Sequence, residues 1–184
     1  MVTVGLDEVG RGCWAGPLVA GAVILRQEVG GLRDSKKLSK KQRETLAEVV
    51  NGVAEVGLGW VWPKEIDELG LTTCVRLAME RALSEIQSNY DEIIIDGNIN
   101  FFPQDPRAKA IIKADDSVPA VSAASIVAKV ARDNYMAELG DKYAGYSFER
   151  HMGYGTALHS AALKTLGVSD IHRLSYKPIQ AFLA

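Results

Sequence analysis

Apolar and polar residues alternate over Val2-Thr3-Val4-Gly5-Leu6, the period of a strand, and this segment delivers two adjacent carboxylates, Asp7 and Glu8. Residues 16–25 form a nearly continuous apolar run, which predicts a strand buried on both faces. A polar loop over 34–39 follows, and Ser39 is placed to cap a helix reaching about Val53. Alternation returns over residues 55–62, predicting a third strand stopped by Pro63, and a short helix is expected over 64–70. Thr72 or Thr73 can cap a longer helix to about Asn89, with Val75, Ala78, Met79, Ala82, Leu83 and Ile86 on one face. Residues 92–96 predict a buried strand ending in Asp96, and 108–113 another that runs into Ala114-Asp115-Asp116. Pro119 suits the first turn of a helix spanning about 117–142, where the small run Ser122-Ala123-Ala124-Ser125 lets the backbone lie close to a sheet. Residues 143–154 are expected as loop, 156–166 as a helix ended by Gly167, and the tail with Pro178 as a short closing helix. Strands and helices in this order predict an α/β fold in one domain over residues 1–184.

The strand ends carry the chemical signal. Asp and Glu are depleted in strands, so a pair of them ending one asks for a reason. Successive strand side chains point to opposite faces, which separates Asp7 from Glu8 unless the chain turns at once; Gly10 and Gly12 allow such a turn. Asp96 and Asp115 also lie at or just beyond the ends of apolar strands. In open α/β sheets, sites form outside strand ends, where loops converge. Such acids serve either as loop caps or, if their strands are neighbours, as one cluster, and four in this pattern favour the cluster. Carboxylates in contact raise one another's pKa unless cations neutralise them. Oxygen-only ligands select hard cations such as Mg²⁺ or Mn²⁺. Two such ions about 4 Å apart would stabilise both the attacking and leaving oxygens of an in-line phosphoryl displacement.

Composition narrows the setting. Of 184 residues, 47% are hydrophobic and 24% charged, which fits a globular chain and excludes the disordered class. No apolar run approaches a membrane span, and the start lacks a signal peptide's features, so a cytoplasmic location and no membrane partner are expected. Cys13 and Cys74 have neither disulfide-framework nor zinc spacing. A net charge of −2 makes no case for a polyanionic partner, but its distribution does more. Residues 26–45 hold seven bases against three acids, 48–105 eleven acids against three bases, and 107–184 ten bases against seven acids. Basic outer thirds permit one phosphate-facing surface, although solvated helix faces give the same counts.

Seven stretches, in order, resemble the type 2 ribonuclease H family, ribonuclease HII. They are Asp7-Glu8-Val9-Gly10-Arg11-Gly12, Ala15-Gly16-Pro17, Asp34-Ser35-Lys36-Lys37-Leu38, Asp96-Gly97, residues 122–133, His151-Met152-Gly153-Tyr154-Gly155-Thr156, and His172-Arg173-Leu174-Ser175-Tyr176. The resemblance implies a ribonuclease H-like fold, a central mixed β-sheet flanked by helices, with a small helical C-terminal part over about 143–184. It implies endonucleolytic cleavage of the RNA strand of RNA–DNA hybrids, and cleavage 5′ to single ribonucleotides in duplex DNA, leaving 3′-hydroxyl and 5′-phosphate ends. Two divalent ions, Mg²⁺ or Mn²⁺, are expected with substrate. Carried over by motif, Asp7, Glu8, Asp96 and Asp115 are the metal-binding catalytic acids. Gly10, Arg11 and Gly12 would read the ribose 2′-hydroxyl through the backbone, and Tyr154 would pack on the sugar at the RNA–DNA junction. Lys36 is expected near a phosphate, and Ser125 and Lys129 fall within the substrate-binding motif.

The chain departs from the family in two places. Lys113-Ala114-Asp115-Asp116 stands where Lys-Gly-Asp is usual, which leaves Asp116 as a rival to Asp115. Cys13-Trp14 follows the Gly-Arg-Gly, and Trp14 is expected to pack rather than to stack on a nucleotide. Trp60 and Trp62 are expected to pack on a sheet face, Lys129 to pair with Asp133, and His151, His159 and His172 to form no metal triad. A monomer is expected, and Ala181-Phe182-Leu183-Ala184 is not read as a clamp-binding peptide. Two rival functions remain: a two-metal DNA nuclease on a related fold, and a binding module that would usually have lost one of the four acids.

Overall fold

A computed structural model describes residues 1–183; Ala184, the last residue of the expected C-terminal part, lies outside the described residues. Five strands form one mixed sheet: β1 (Thr3–Val9), β2 (Leu18–Leu25), β3 (Ala54–Val61), β4 (Glu92–Asp96) and β5 (Ala108–Ile111), in the order β3-β2-β1-β4-β5. The first three pair antiparallel, whereas β4 joins β1, and β5 joins β4, in parallel. The apolar run in β2 is buried along nearly its whole length, as a central strand covered on both faces requires.

Helices cover both faces. On one side, Val75, Ala78, Met79 and Ala82 of α3 (Leu71–Ser84) pack on Val4, Leu6, Leu18 and Ile95. On the other lie α1 (Lys40–Val53) and the long α5 (Pro119–Lys142), through Ala47, Val50, Ala123, Ala124, Ile126 and Val127. The small residues of α5 matter because the sheet meets them at glycines. A Cβ added to Gly21 would lie 2.6 Å from the Ala124 carbonyl oxygen. The same α5 runs past the sheet, and its far end carries Met136 and Leu139 into a second core with Phe148, Leu163 and Ile179.

Ser39 caps α1 through a reciprocal capping box with Gln42. Pro63 opens the short α2 (Pro63–Leu69). The start of α3 differs from expectation: Gly70, at φ 79°, is the cap, so Thr72 and Thr73 sit inside the first turn. Its end comes at Ser84 rather than Asn89, because the Glu55 carboxylate takes the N–H groups of Gln87 and Ser88 out of the helical ladder. Strand β5 stops at Ile111 instead of Lys113. Lys113 adopts a left-handed conformation (φ 58°), and a one-turn helix, α4 (Ala114–Ser117), follows. Within the stretch expected as loop, Phe148–His151 forms another single turn, α6. Helices α7 (Ala157–Leu166), capped by Thr156, and α8 (Lys177–Gln180) close the chain.

Candidate active site

Leu6 lies opposite Ile95 in the parallel β1–β4 pair, so the next residues along, Asp7 and Asp96, leave neighbouring strands side by side on one face. Asp96 then collects the third acid. One of its carboxylate oxygens accepts the N–H of Ala114 at 2.8 Å and that of Asp115 at 3.4 Å, docking the first turn of α4 against the strand end. Asp7, Asp96 and Asp115 consequently each offer an oxygen within 4.8 Å of the others. Asp116 points elsewhere: its carboxylate pairs with Lys37 at 2.6 Å. Of the two rivals, Asp115 is the one that joins the cluster.

Glu8 is placed differently from the expectation of four converging acids. Strand β1 keeps its pairing with β2 as far as Val9, so the turn at Gly10 comes too late to bring Glu8 onto the Asp7 face. Glu8 instead accepts from Arg11 at 3.1 Å, while its own N–H donates to Asp7 at 2.7 Å. It still lines the same cleft of about 280 Å³, together with Gly10, Arg11, Gly12, Lys36, Asp96, Ser125, Lys129 and Tyr154. A larger groove of about 780 Å³ beside α1 is lined by Leu32, Arg33, Leu38, Lys41 and Leu46 and holds none of these acids.

The electrostatics are those of a site short of positive charge. Burial, then the neighbouring Glu8 and Asp96 charges, push the Asp7 carboxyl well up, while the Ser125 hydroxyl and the Glu8 N–H act the other way. Burial also raises Glu8, with Arg11 partly offsetting it, and burial followed by Asp96 raises Asp115. Lys36 feels the same field: burial would lower it, but Asp34, Asp7, Asp115 and Asp96 together raise it. Ser125 meets the hydroxyl of Ser35 at 3.0 Å, tying α5 to the loop that carries Lys36.

Tyr154 forms the opposite wall, 38% exposed, with the Lys129 ammonium 5.7 Å and the Arg132 guanidinium 5.9 Å from its ring centre. Burial pushes its hydroxyl up to about 12. Lys129 pairs with Asp133 at 2.7 Å, as their spacing predicts. Trp14 packs against the second core and beside His159, and Trp60 stacks with Trp62 on one side of the sheet against Tyr135. The three histidines do meet, through Phe148, and His159 Nε2 lies 3.0 Å from His172 Nε2. Their ring nitrogens are engaged by Tyr146 O, Gly153 N, Tyr154 O and Ser169, so this is a packed, hydrogen-bonded cluster.

Two residues given no role by sequence reasoning prove central to the walls. Arg132 is fully buried and donates to the carbonyls of Pro17, Ala15 and Met152, and it occupies the space a side chain at Gly10 (φ 93°) would need. Arg173 is equally buried and donates to the carbonyls of Gly16 and Arg11. An arginine inside an otherwise small and apolar helix face is the one sequence signal that marks Arg132.

The description "Ribonuclease HII" belongs to a family model that matches residues 4–179. Ribonuclease HII of Jannaschia sp. (strain CCS1) is 45% identical over 184 residues, covering 99% of this chain and 92% of the relative. Among solved structures, ribonuclease H2 from Pyrococcus horikoshii OT3 superposes with a TM-score of 0.82 at 28% identity, over 99% of this chain and 97% of that one. The ribonuclease HII in the PCNA complex from Archaeoglobus fulgidus gives 0.80 at 28% identity, over 96% of both chains. With the family model spanning nearly every element that builds the acidic cleft, the chain belongs to the ribonuclease HII family.

Proposed function

We propose that this enzyme hydrolyses the RNA strand of RNA–DNA hybrids and cuts 5′ to single ribonucleotides embedded in duplex DNA, leaving 3′-hydroxyl and 5′-phosphate ends. The observation that carries the reading is the meeting of Asp7, Asp96 and Asp115, from three distant parts of the chain, beside the Gly10-Arg11-Gly12 loop and Tyr154. The donor set fits hard divalent cations: it is all carboxylate oxygen, partly buried, with pKa values raised by burial and then by the neighbouring negative charges, which a cation would relieve. Asp7, Asp96 and Asp115, with Glu8 at the rim, would hold Mg²⁺ or Mn²⁺, two ions with substrate. Those ions would supply a water activated as nucleophile and charge neutralisation at the scissile phosphate.

The chain's own residues account for placement. Lys36, exposed at the cleft edge in the field of the acids, is the cation for a flanking phosphate. Ser125 holds the Asp7 side of the site, and Lys129 stands beside Tyr154 for the next phosphate. Gly12 has open space where a Cβ would be, so a sugar edge can approach its backbone. Tyr154 offers a flat, half-open ring for the sugar that follows the ribonucleotide. The enzyme would work as a cytoplasmic monomer on nucleic acid; among the described residues no helix is long and apolar enough to cross a membrane.

The test is cleavage of a DNA duplex holding one ribonucleotide, with Mg²⁺, Mn²⁺ or EDTA, beside an all-DNA duplex. Cutting of the first alone, abolished by EDTA, is expected. Equal cutting of both would make it a DNA nuclease, and cutting of neither would make it a binding module.

A further inference from the structure

Arg173 is a buried cation whose hydrogen bonds all go to neutral oxygens: Gly16 O at 2.9 and 3.1 Å, Arg11 O at 3.0 Å and the Tyr176 hydroxyl at 2.9 Å. Burying a guanidinium without a counter-charge is costly, so its placement asks for a return in geometry. The loop it grips is the one that leaves β1 after Val9. Within that loop a single long bond, Cys13 N–H to Gly10 O at 3.4 Å, closes the turn. Everything firmer comes from outside the loop: from Arg132 of α5 at the Pro17 and Ala15 carbonyls, and from the C-terminal part at residues nearer the cleft. The Tyr176 hydroxyl donates to Arg11 O at 2.6 Å, the Arg173 N–H to Trp14 O at 2.8 Å, and Ile171 O accepts from Gly16 at 2.9 Å. The Arg11 carbonyl is thus held by two donors, which fixes the Arg11–Gly12 peptide plane and with it the direction of the Gly12 N–H. The N–H groups of Arg11 and Gly12 meet no acceptor among the described residues, and both residues line the acidic cleft.

We propose that Arg173 and Tyr176 are positioning residues for sugar selectivity: by clamping the Arg11 carbonyl they aim the Gly12 N–H, in the same peptide plane, at the ribose 2′-oxygen. This rests on the ribonuclease reading above. A deoxyribose offers that donor nothing, so the clamp acts on the difference between the two sugars. Neither side chain touches the substrate, and both act through the loop.

Tyr176→Phe is the gentle probe, since it removes one donor and keeps the ring that lies against Arg173. Two quantities are measured in wild type, Tyr176→Phe, Arg173→Lys and Arg173→Met. One is kcat and KM on the single-ribonucleotide duplex; the other is the Kd ratio, in Ca²⁺, between that duplex and its all-DNA counterpart. Tyr176→Phe is expected to lower kcat/KM on the single-ribonucleotide duplex by about tenfold, the loss of about one hydrogen bond's worth of alignment. The Kd ratio narrows toward one, and Arg173→Lys recovers part of what Arg173→Met loses. A Kd ratio and kcat/KM within twofold of wild type in Tyr176→Phe would overturn the proposal. So would a loss in every variant that tracks its unfolded fraction alone, since that is a purely structural role. If wild type fails to cut the ribonucleotide duplex, the ribonuclease reading falls and this inference with it; if wild type cuts and selectivity ignores the clamp, only the inference falls.

Discussion

Replacing Asp7 by Asn should stabilise the metal-free protein while removing its response to metal. Asp7 is 7% exposed and shares its space with Asp96 and Asp115, their nearest oxygens all within 4.8 Å. At that separation each ionised pair repels by about 3 kcal/mol with an effective dielectric constant of about 20. The asparagine keeps an oxygen for the Glu8 N–H, now 2.7 Å from the carboxylate, and its new NH₂ can donate to Asp96. Loss of part of the Ser125 interaction offsets some of the gain, leaving a net of about 2 kcal/mol, or about 4–8 °C in Tm for a chain of this size. The sign with pH follows from the direction of the shift. Because the folded protein raises Asp7, its penalty is absent below the unfolded carboxylate range and grows as pH rises through the folded value. The difference between variant and wild type should therefore be larger at pH 7 than at pH 4. Differential scanning calorimetry in EDTA, repeated with millimolar Mg²⁺ or Mn²⁺, reads both effects: wild type rises with metal, the variant does not. A variant that melts below wild type in EDTA at pH 7 would refute the idea that burial and repulsion make the Asp7 charge costly in this cleft.

If Tyr154 packs on the sugar that follows the ribonucleotide, as proposed, Tyr154→Ala should harm cleavage at a single ribonucleotide more than cleavage of a long hybrid; side-by-side kcat/KM values decide it. Gly21→Ala should cost about 3 kcal/mol, since the new methyl meets the Ala124 carbonyl at 2.6 Å and α5 must lift off the sheet; urea titration measures it. Burial, outweighing bonds to the Tyr154 and Ser169 carbonyls, lowers His159 and His172 to about 4. Their imidazole resonances should accordingly stay in the neutral form at pH 5.5. The stability they contribute is complete above the ordinary histidine value of 6.5 and is lost as pH falls toward 4.

Most of the sheet is legible in the chain because β1, β2 and β4 are short runs of aliphatic residues with polar ends, and a strand period needs only a few residues to show itself. The strand-end acids Asp7 and Asp96 are legible for the same reason. What the pattern hides is direction. Alternation says that Asp7 and Glu8 face apart, but not whether the strand continues long enough to enforce it; β2 settles that by pairing as far as Val9. The choice between Asp115 and Asp116 turns on a left-handed Lys113 and on Asp96 capping a one-turn helix, neither of which has a periodic signature. The end of α3 is set by Glu55, some thirty residues away, so local propensity could not find it. The histidine cluster is likewise a product of tertiary packing: residues 8 and 13 apart in sequence meet only because α6, α7 and the tail fold onto Phe148.

The strand order has a kinetic corollary. Strands β1 and β2 pair across a short connection and β3 joins β2 after the intervening α1, whereas β4 must return across the whole of that antiparallel unit to lie beside β1. Asp7 meets Asp96 only when this long-range parallel pairing has formed, the slow kind of contact in a folding chain. A divalent ion therefore has no grip on the early, antiparallel-only chain, and refolding rates should be indifferent to Mg²⁺ while unfolding slows in its presence: the ion latches a finished architecture without templating it.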